Sequence, residues 1–452
     1  MHNRRGYSLW IILCLLSLQS VYAGLTDYVQ RSDPSYAYEI VESRALGANS
    51  AEIIKLTSQT WQGITWQHWL VIIRPAEVAH PETALLLIDG GSFRDKPPAL
   101  DNRETQIVSM VADQTKSVVA AISQVPNEPL FDGRNEDEII AYTYDKFLKG
   151  EGDDWPLLLP MAKSAVKAMD TVQKVLKEKH QQDLQNFVLT GGSKRGWTSW
   201  LTAASGDPRV KAIAPVVIDV LNMEPQMKRQ MAIYGGYSEQ VDDYTNLKIQ
   251  ERMNTPEGKK LLGMVDPYSY RNSLTLPKLM ILGTNDPYWT VDAANQYFPG
   301  LKGKKYLHYQ ANVGHDISLD GVAVLSQFYN AILTGKEYPE IHWTSDGKGA
   351  MDVTWDRKDG KAFLWQAQSP NRDFRRSTWT STLIPGEGKA SIHLDPPKEG
   401  WLAFYVEVRF PGDFGFDFGT CTQMTVLPDT FPTSGRAYDP APTSVTPVKQ
   451  PQ

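Results

Sequence analysis

Phe187-Val188-Leu189-Thr190-Gly191-Gly192-Ser193-Lys194-Arg195-Gly196-Trp197 is a short apolar run, a glycine-flanked turn and the start of a helix-like stretch. A chain that leaves a buried strand, turns sharply and enters a helix holds the turn residue above the carboxyl edge of its sheet. Ser193 occupies that turn, and the next backbone N–H, that of Lys194, faces the place where an oxyanion would form. Glycines suit a tight turn with other chain close by. The stretch predicts a nucleophile elbow on a mainly parallel sheet. It departs from Gly-x-Ser-x-Gly, because position +2 is Arg195 and the glycine comes one later, at Gly196. A long side chain at +2 must find room between strand and helix, or point into the pocket and meet an acidic group of a substrate.

Between about residues 65 and 320, strand-like and helix-like patterns alternate outward from the elbow. Candidate strands are Trp66–Ile73, Ala84–Ile88, Ser117–Ser123, Phe187–Thr190, Ala212–Ile218, Lys278–Leu282 and Tyr306–Tyr309. Runs such as Val118-Val119-Ala120-Ala121-Ile122 lack alternation, as strands buried on both faces do. Helices are predicted over Arg103–Asp113, Glu136–Leu148 and Pro160–Lys179. In the last, Met161, Ala165, Ala168, Met169, Val172 and Val175 share one face.

Two further loops follow strands. Gly283-Thr284-Asn285-Asp286-Pro287 succeeds Lys278–Leu282, and Asn312-Val313-Gly314-His315 succeeds Tyr306–Tyr309. Ser193, Asp286 and His315 therefore run in the order nucleophile, acid, base, which is the order of α/β-hydrolases and of no other common serine-hydrolase class. Neutral His315 suits removal of the Ser193 proton near pH 7, and Asp286 suits orienting the ring. Asp292 and Asp219 are the rival acids. Asp89-Gly90-Gly91-Ser92 follows the run Leu85–Ile88, where that fold carries its second oxyanion donor. The N–H groups of Gly91 and Lys194 are the expected pair, with Gly90 or Ser92 as substitutes for Gly91.

Asn135-Glu136-Asp137-Glu138 opens a helix: Asn135 suits a cap, and acids in the first turn suit the dipole. Glu136 or Glu138 is also a candidate for binding a substrate amine. No His, Cys and acid cluster has metal-ligand spacing, so neither a metal nor a cofactor is expected.

Residues 222–276 break the alternation with mixed Met, Tyr, Gln and charged residues, and read as a helical cap over the site, with Tyr234 and Tyr237 shaping specificity. Short aromatic, alternating segments over 339–428 predict a small β-sandwich, a surface open to a protein partner. Residues 429–452, rich in Pro and Thr, read as a tail. The expected fold is thus an α/β-hydrolase domain over 24–338, interrupted by the cap and followed by the sandwich.

Arg4 and Arg5, an apolar run over Leu9–Leu18 and Val21-Tyr22-Ala23 read as a signal peptide over residues 1–23, placing the chain in the periplasm or outside the cell. The apolar run is too short for a comfortable membrane span. Cleavage removes Cys14 and leaves Cys421 alone, so no internal disulfide can form. With 41% hydrophobic and 22% charged residues the chain is an ordinary globular one. A net charge of −6 with no basic run argues against nucleic acid as a partner.

Val125-Pro126-Asn127-Glu128-Pro129-Leu130, Glu136–Thr143, Asp154-Trp155-Pro156-Leu157-Leu158-Leu159-Pro160-Met161, Gly191–Gly196 and Gly283–Trp289 together resemble the PhoPQ-activated pathogenicity-related protein family, over most of residues 25–430. The resemblance implies an exported α/β-hydrolase relative linked to envelope or virulence regulation and related to a secreted proliferation repressor of a slime mould. In one branch it implies dipeptidyl-peptidase-like activity. The sequence as a whole leads to an exported serine hydrolase acting on a peptide or a small ester or amide. A prolyl or dipeptidyl peptidase comes first. The alternatives are a carbohydrate esterase of glucuronoyl or acetyl type, or a non-catalytic binding protein on a hydrolase scaffold.

Overall fold

The computed structural model describes residues 23–432. The expected signal peptide, apart from Ala23, and residues 433–452 of the expected tail lie outside the described residues. Nine strands form one sheet: β1 (Ala37–Leu46), β2 (Asn49–Trp61), β3 (Ile64–Arg74), β4 (Thr83–Ile88), β5 (Val119–Ile122), β6 (Asn186–Gly192), β7 (Val210–Val216), β8 (Lys278–Gly283) and β9 (Lys305–Gln310). Their spatial order is β1-β2-β3-β5-β4-β6-β7-β8-β9, antiparallel through β3 and its pairing with β5, and parallel from there on. Helices α1 (Ala23–Gln30), α2 (Arg103–Thr115), α3 (Glu136–Leu148), α4 (Leu158–His180) and α5 (Lys194–Ala204) alternate with these strands. After β7 come α6 (Met223–Tyr234), α7 (Asp242–Asn246), α8 (Ile249–Arg252) and α9 (Pro256–Val265), and after β9 comes α10 (Leu319–Thr334). This is the α/β-hydrolase fold.

Register explains why the central strands lack alternation. Leu85 of β4 stands opposite Val119 of β5 and Val188 of β6, while Leu86 stands opposite Ala120 and Leu189. Odd rungs face α2 and α10, and even rungs face α4 and α5, so each layer is apolar on its own side. All six residues of the predicted α4 face are buried. Parallel strands end on a common edge. Ile88, Gly192, Gly283 and Gln310 close β4, β6, β8 and β9, and the loops carrying Gly91, Ser193, Asp286 and His315 begin there.

The hairpin β1–β2 is not among the strands expected from sequence. β1 interleaves Glu39, Glu42 and Arg44 with its apolar residues and is largely exposed, and among the described residues it pairs with β2 alone. From β10 (Ile341–Ser345) onward all pairing is antiparallel, through β11 (Ala350–Trp355), β12 (Lys361–Ser369), β13 (Thr380–Ile384), β14 (Lys389–His393), β15 (Trp401–Pro411), β16 (Asp417–Cys421) and β17 (Thr425–Leu427). They make a three-stranded sheet, β10-β11-β14, and a second sheet, β13-β12-β15-β16, with β17 also on β15. Val353, Phe404, Val406 and Phe410 fill the space between them.

Candidate active site

Ser193 links β6 to α5 with φ 54° and ψ −126°, a backbone state that non-glycine residues rarely adopt. Its N–H donates to Val216 O at 2.9 Å, and its carbonyl accepts from Trp197 N at 3.0 Å, which locks the turn. Crowding sets the glycines. A Cβ on Gly191 would lie 2.7 Å from Ile88 O, and one on Gly196 would lie 2.8 Å from Gly191 O. Glycine is therefore needed at +3, where α5 crosses β6, and +2 is left for a side chain that points elsewhere. Lys194, as the first residue of α5, has a backbone N–H with no intrahelical acceptor.

Arg195 does not reach into the pocket. Its guanidinium lies over Gly90, where a Cβ would sit 2.2 Å from a terminal nitrogen. Nε donates to Val125 O at 2.6 Å, and both terminal nitrogens donate to Glu136 at 2.8 Å. The room for a long side chain at +2 thus comes from the missing side chain at Gly90. Val125 N in turn donates to Asp89 O, and Gln124 N donates to Gly90 O, so the loop after β4 is held from below. Gly91 takes φ 97°. Of the two cavities at Ser193, one is lined by Asp89, and Gly91 lines neither.

The acids of the α3 first turn divide differently from expectation. Glu136 is engaged by Arg195 and, at 3.1 Å, by Lys194 Nζ, so it is no open site for a substrate amine. Glu138 points outward, with Arg134 Nε at 3.5 Å. Asn135 turns its amide to Gly133 O and does not cap the helix. Asp137 is the carboxylate at the pocket, accepting from Lys194 Nζ (2.9 Å), Tyr244 OH (2.9 Å) and Tyr288 OH (3.2 Å). Nothing in the sequence separated it from its two acidic neighbours, because the choice depends on the roll of α3.

Burial alone would raise the Glu136 carboxyl, but Arg195 and Lys194 beside it bring it down to about 2. Ionised Glu136 therefore adds stability above the ordinary 4.5, and that contribution fades as pH falls from 4.5 toward about 2. The wild-type melting temperature should drop more steeply across this window than that of Glu136→Gln. Equal slopes would remove this carboxylate from the acid response.

His315 Nδ1 lies 2.7 Å from Asp286 Oδ2. Asp286 is buried and accepts Tyr288 N at 2.9 Å through its other oxygen. The Tyr288 ring lies against the imidazole, with centroids 4.3 Å apart, and the buried Nε2 has no hydrogen-bond partner among the described residues. Neither rival acid reaches the ring. Asp292 is bound by Arg229 and Arg372. Asp219 is buried beside Tyr297, and desolvation pushes its carboxyl up to about 7.

Two cavities meet at Ser193 and His315. One, of about 60 Å³, lies under the helices after β7 and is lined by Asp137, Met223, Met227, Tyr244, Met253 and Tyr288, among others. The other, of about 330 Å³, runs between α2 and α10. Tyr234 and Tyr237 line neither. Tyr234 instead anchors its helix, donating to Trp289 O at 3.1 Å beneath the Arg375 guanidinium.

Among the described residues one group has metal-ligating atoms close together: His308, Glu407 and Cys421, brought from β9, β15 and β16. Glu407 accepts from Trp365 Nε1 and Arg409 Nε, and burial holds the Cys421 thiol far above its ordinary range. A thiol kept protonated is a poor ligand, and the group is packed interior. No helix among the described residues is long and apolar enough to cross a membrane.

An elbow serine after β6 of an α/β-hydrolase sheet thus stands with an Asp-His pair on the loops after β8 and β9. The chain belongs to the PhoPQ-activated pathogenicity-related protein family, whose sequence model matches residues 25–375. It is 31% identical over 472 residues to autocrine proliferation repressor protein A of Dictyostelium discoideum, covering 93% of this chain and 94% of that one. Among solved structures it is similar to acetyl xylan esterase 1 from a Thermoanaerobacterium species, at 16% identity, TM-score 0.48, 69% of this chain and 92% of that chain. It is also similar to a glucuronoyl esterase from Solibacter usitatus, at 14% identity, TM-score 0.43, 71% of this chain and 93% of that chain.

Proposed function

We propose that this protein is an exported serine hydrolase that cleaves an ester or amide through an acyl-enzyme. One observation carries the reading: a serine at φ 54° shares its cavities with a histidine whose Nδ1 is fixed by a buried aspartate and whose Nε2 is uncommitted. Ser193 Oγ bonds to the carbonyl carbon as its proton passes to His315 Nε2. The carbonyl oxygen becomes an anion facing the N–H of Lys194, with the second donor coming from the loop after β4. Collapse of this intermediate breaks the bond to the alcohol or amine, which leaves with the proton from Nε2. Water repeats the sequence and frees the acid. Asp286 keeps the ring oriented and stabilises its charged form.

The pairing of Glu136 with Arg195 favours an ester over a peptide recognised by its free amine. The peptidase reading then rests on Asp137, whose charge is already shared with Lys194. A fluorophosphonate probe should label Ser193 alone, and a panel of acetyl, glucuronoyl and dipeptidyl chromogenic substrates should show ester turnover above dipeptidyl turnover. Failure to label a folded protein would favour a binding protein on this scaffold, and faster dipeptidyl cleavage would restore the peptidase.

A further inference from the structure

The larger cavity at Ser193 is out of proportion to the smaller one and different in character. About 330 Å³ lies between α2, α10 and the sheet. An apolar cavity of about 150 Å³ already holds a benzene-sized guest. The walls are Leu85, Leu87, Ile107, Val111, Val322 and Leu325, with other aliphatic residues and no aromatic ring. Asp89, Thr190 and Asp316 line it as well, beside Ser193 and His315. A sugar placed here would set most of its hydroxyls against aliphatic walls, which is costly. A methylene chain loses nothing by entering it and gains dispersion contact that an empty void forgoes. The opposite, cap-side chamber is small, and Met223, Met227, Met253 and Trp289 line it together with Asp137 and Tyr288, which leaves room for a short group only.

We propose that the cavity between α2 and α10 is the acyl-binding pocket of this enzyme, and that the preferred substrates carry an unbranched aliphatic acyl chain on a small alcohol or amine. The inference rests on the acyl-enzyme reading above. The chain stays attached through the carbonyl to Ser193 Oγ after the leaving group departs. Ser193 lines both chambers, and the larger one has the volume for an acyl chain, which leaves the cap-side chamber to the small leaving group.

Nitrophenyl acetate, butyrate, hexanoate and octanoate test this directly. Each methylene buried should raise kcat/KM about fourfold until the cavity is full. Ile107→Trp and Leu325→Phe should erase at least tenfold of the gain, read as the octanoate-to-acetate ratio of kcat/KM within each variant. If either variant melts early, the wild-type series decides alone. Octyl acetate provides the contrast, because a gain that follows the alcohol chain would overturn the assignment of this cavity to the acyl group. A labelled, acetate-active enzyme indifferent to acyl length would overturn this inference alone. Loss of both Ser193 labelling and acetate turnover in the wild type would overturn the underlying reading with it.

Discussion

Ser193→Ala is expected to lower ester turnover by ~10⁴–10⁶-fold while the protein stays folded, the range seen when one member of a working triad is removed. The hydroxyl is the only atom lost, and it donates no hydrogen bond that holds the elbow. The turn is fixed by Ser193 N on Val216 O and by Trp197 N on Ser193 O, both backbone contacts that alanine keeps. The unusual backbone state at φ 54° is carried equally by either residue, so the change in stability should be small. Residual rate above water would come from the N–H groups around the carbonyl oxygen and from substrate binding alone. Unchanged turnover by folded Ser193→Ala, measured with nitrophenyl acetate, would exclude Ser193 as the nucleophile.

The sheet was legible because its strands carry buried rungs on both faces, and such runs stand out as uninterrupted aliphatic segments. Leu85–Ile88 and Val118–Ile122 are examples. The edge hairpin β1–β2 was not, since an edge strand with one partner is free to mix Glu39, Glu42 and Arg44 into its pattern. Chain order also brought Asp286 and His315 into view, because loops at the ends of parallel strands meet on one edge whatever the helices between them do. Side-chain destinations were less legible. The destination of Arg195 depends on Gly90, about a hundred residues earlier, and on Glu136 as its partner. Which acid of the α3 first turn reaches the pocket depends on where Lys194, Tyr244 and Tyr288 converge. Contacts of that kind join segments that share no sequence pattern, and His308, Glu407 and Cys421 come together in the same way.

Asp286→Asn and Asp292→Asn, six residues apart, should fail in opposite ways. Asp286 Oδ2 receives the His315 Nδ1 proton at 2.7 Å. An amide there can present its NH₂ to the ring, favour the other tautomer and withdraw the negative charge that the imidazolium needs. Turnover should fall by ~10⁴-fold with little change in melting temperature. Asp292 is buried between two guanidinium groups, Arg229 from α6 and Arg372 from the β12–β13 connection, and Phe431 packs over both. Burial already opposes the charge on Arg372, and Arg229 repels it. Removing Asp292 leaves two buried cations facing each other, with the exposed Asp429 3.8 Å from Arg372 as the remaining anion, at a cost of about 3–5 kcal/mol. Asp292→Asn should therefore melt early or accumulate poorly, while whatever folds keeps near-normal turnover per active site, counted by fluorophosphonate labelling. The reverse outcome, a stable Asp292→Asn that is inactive beside an active Asp286→Asn, would mean that His315 turns to the other carboxylate when substrate binds.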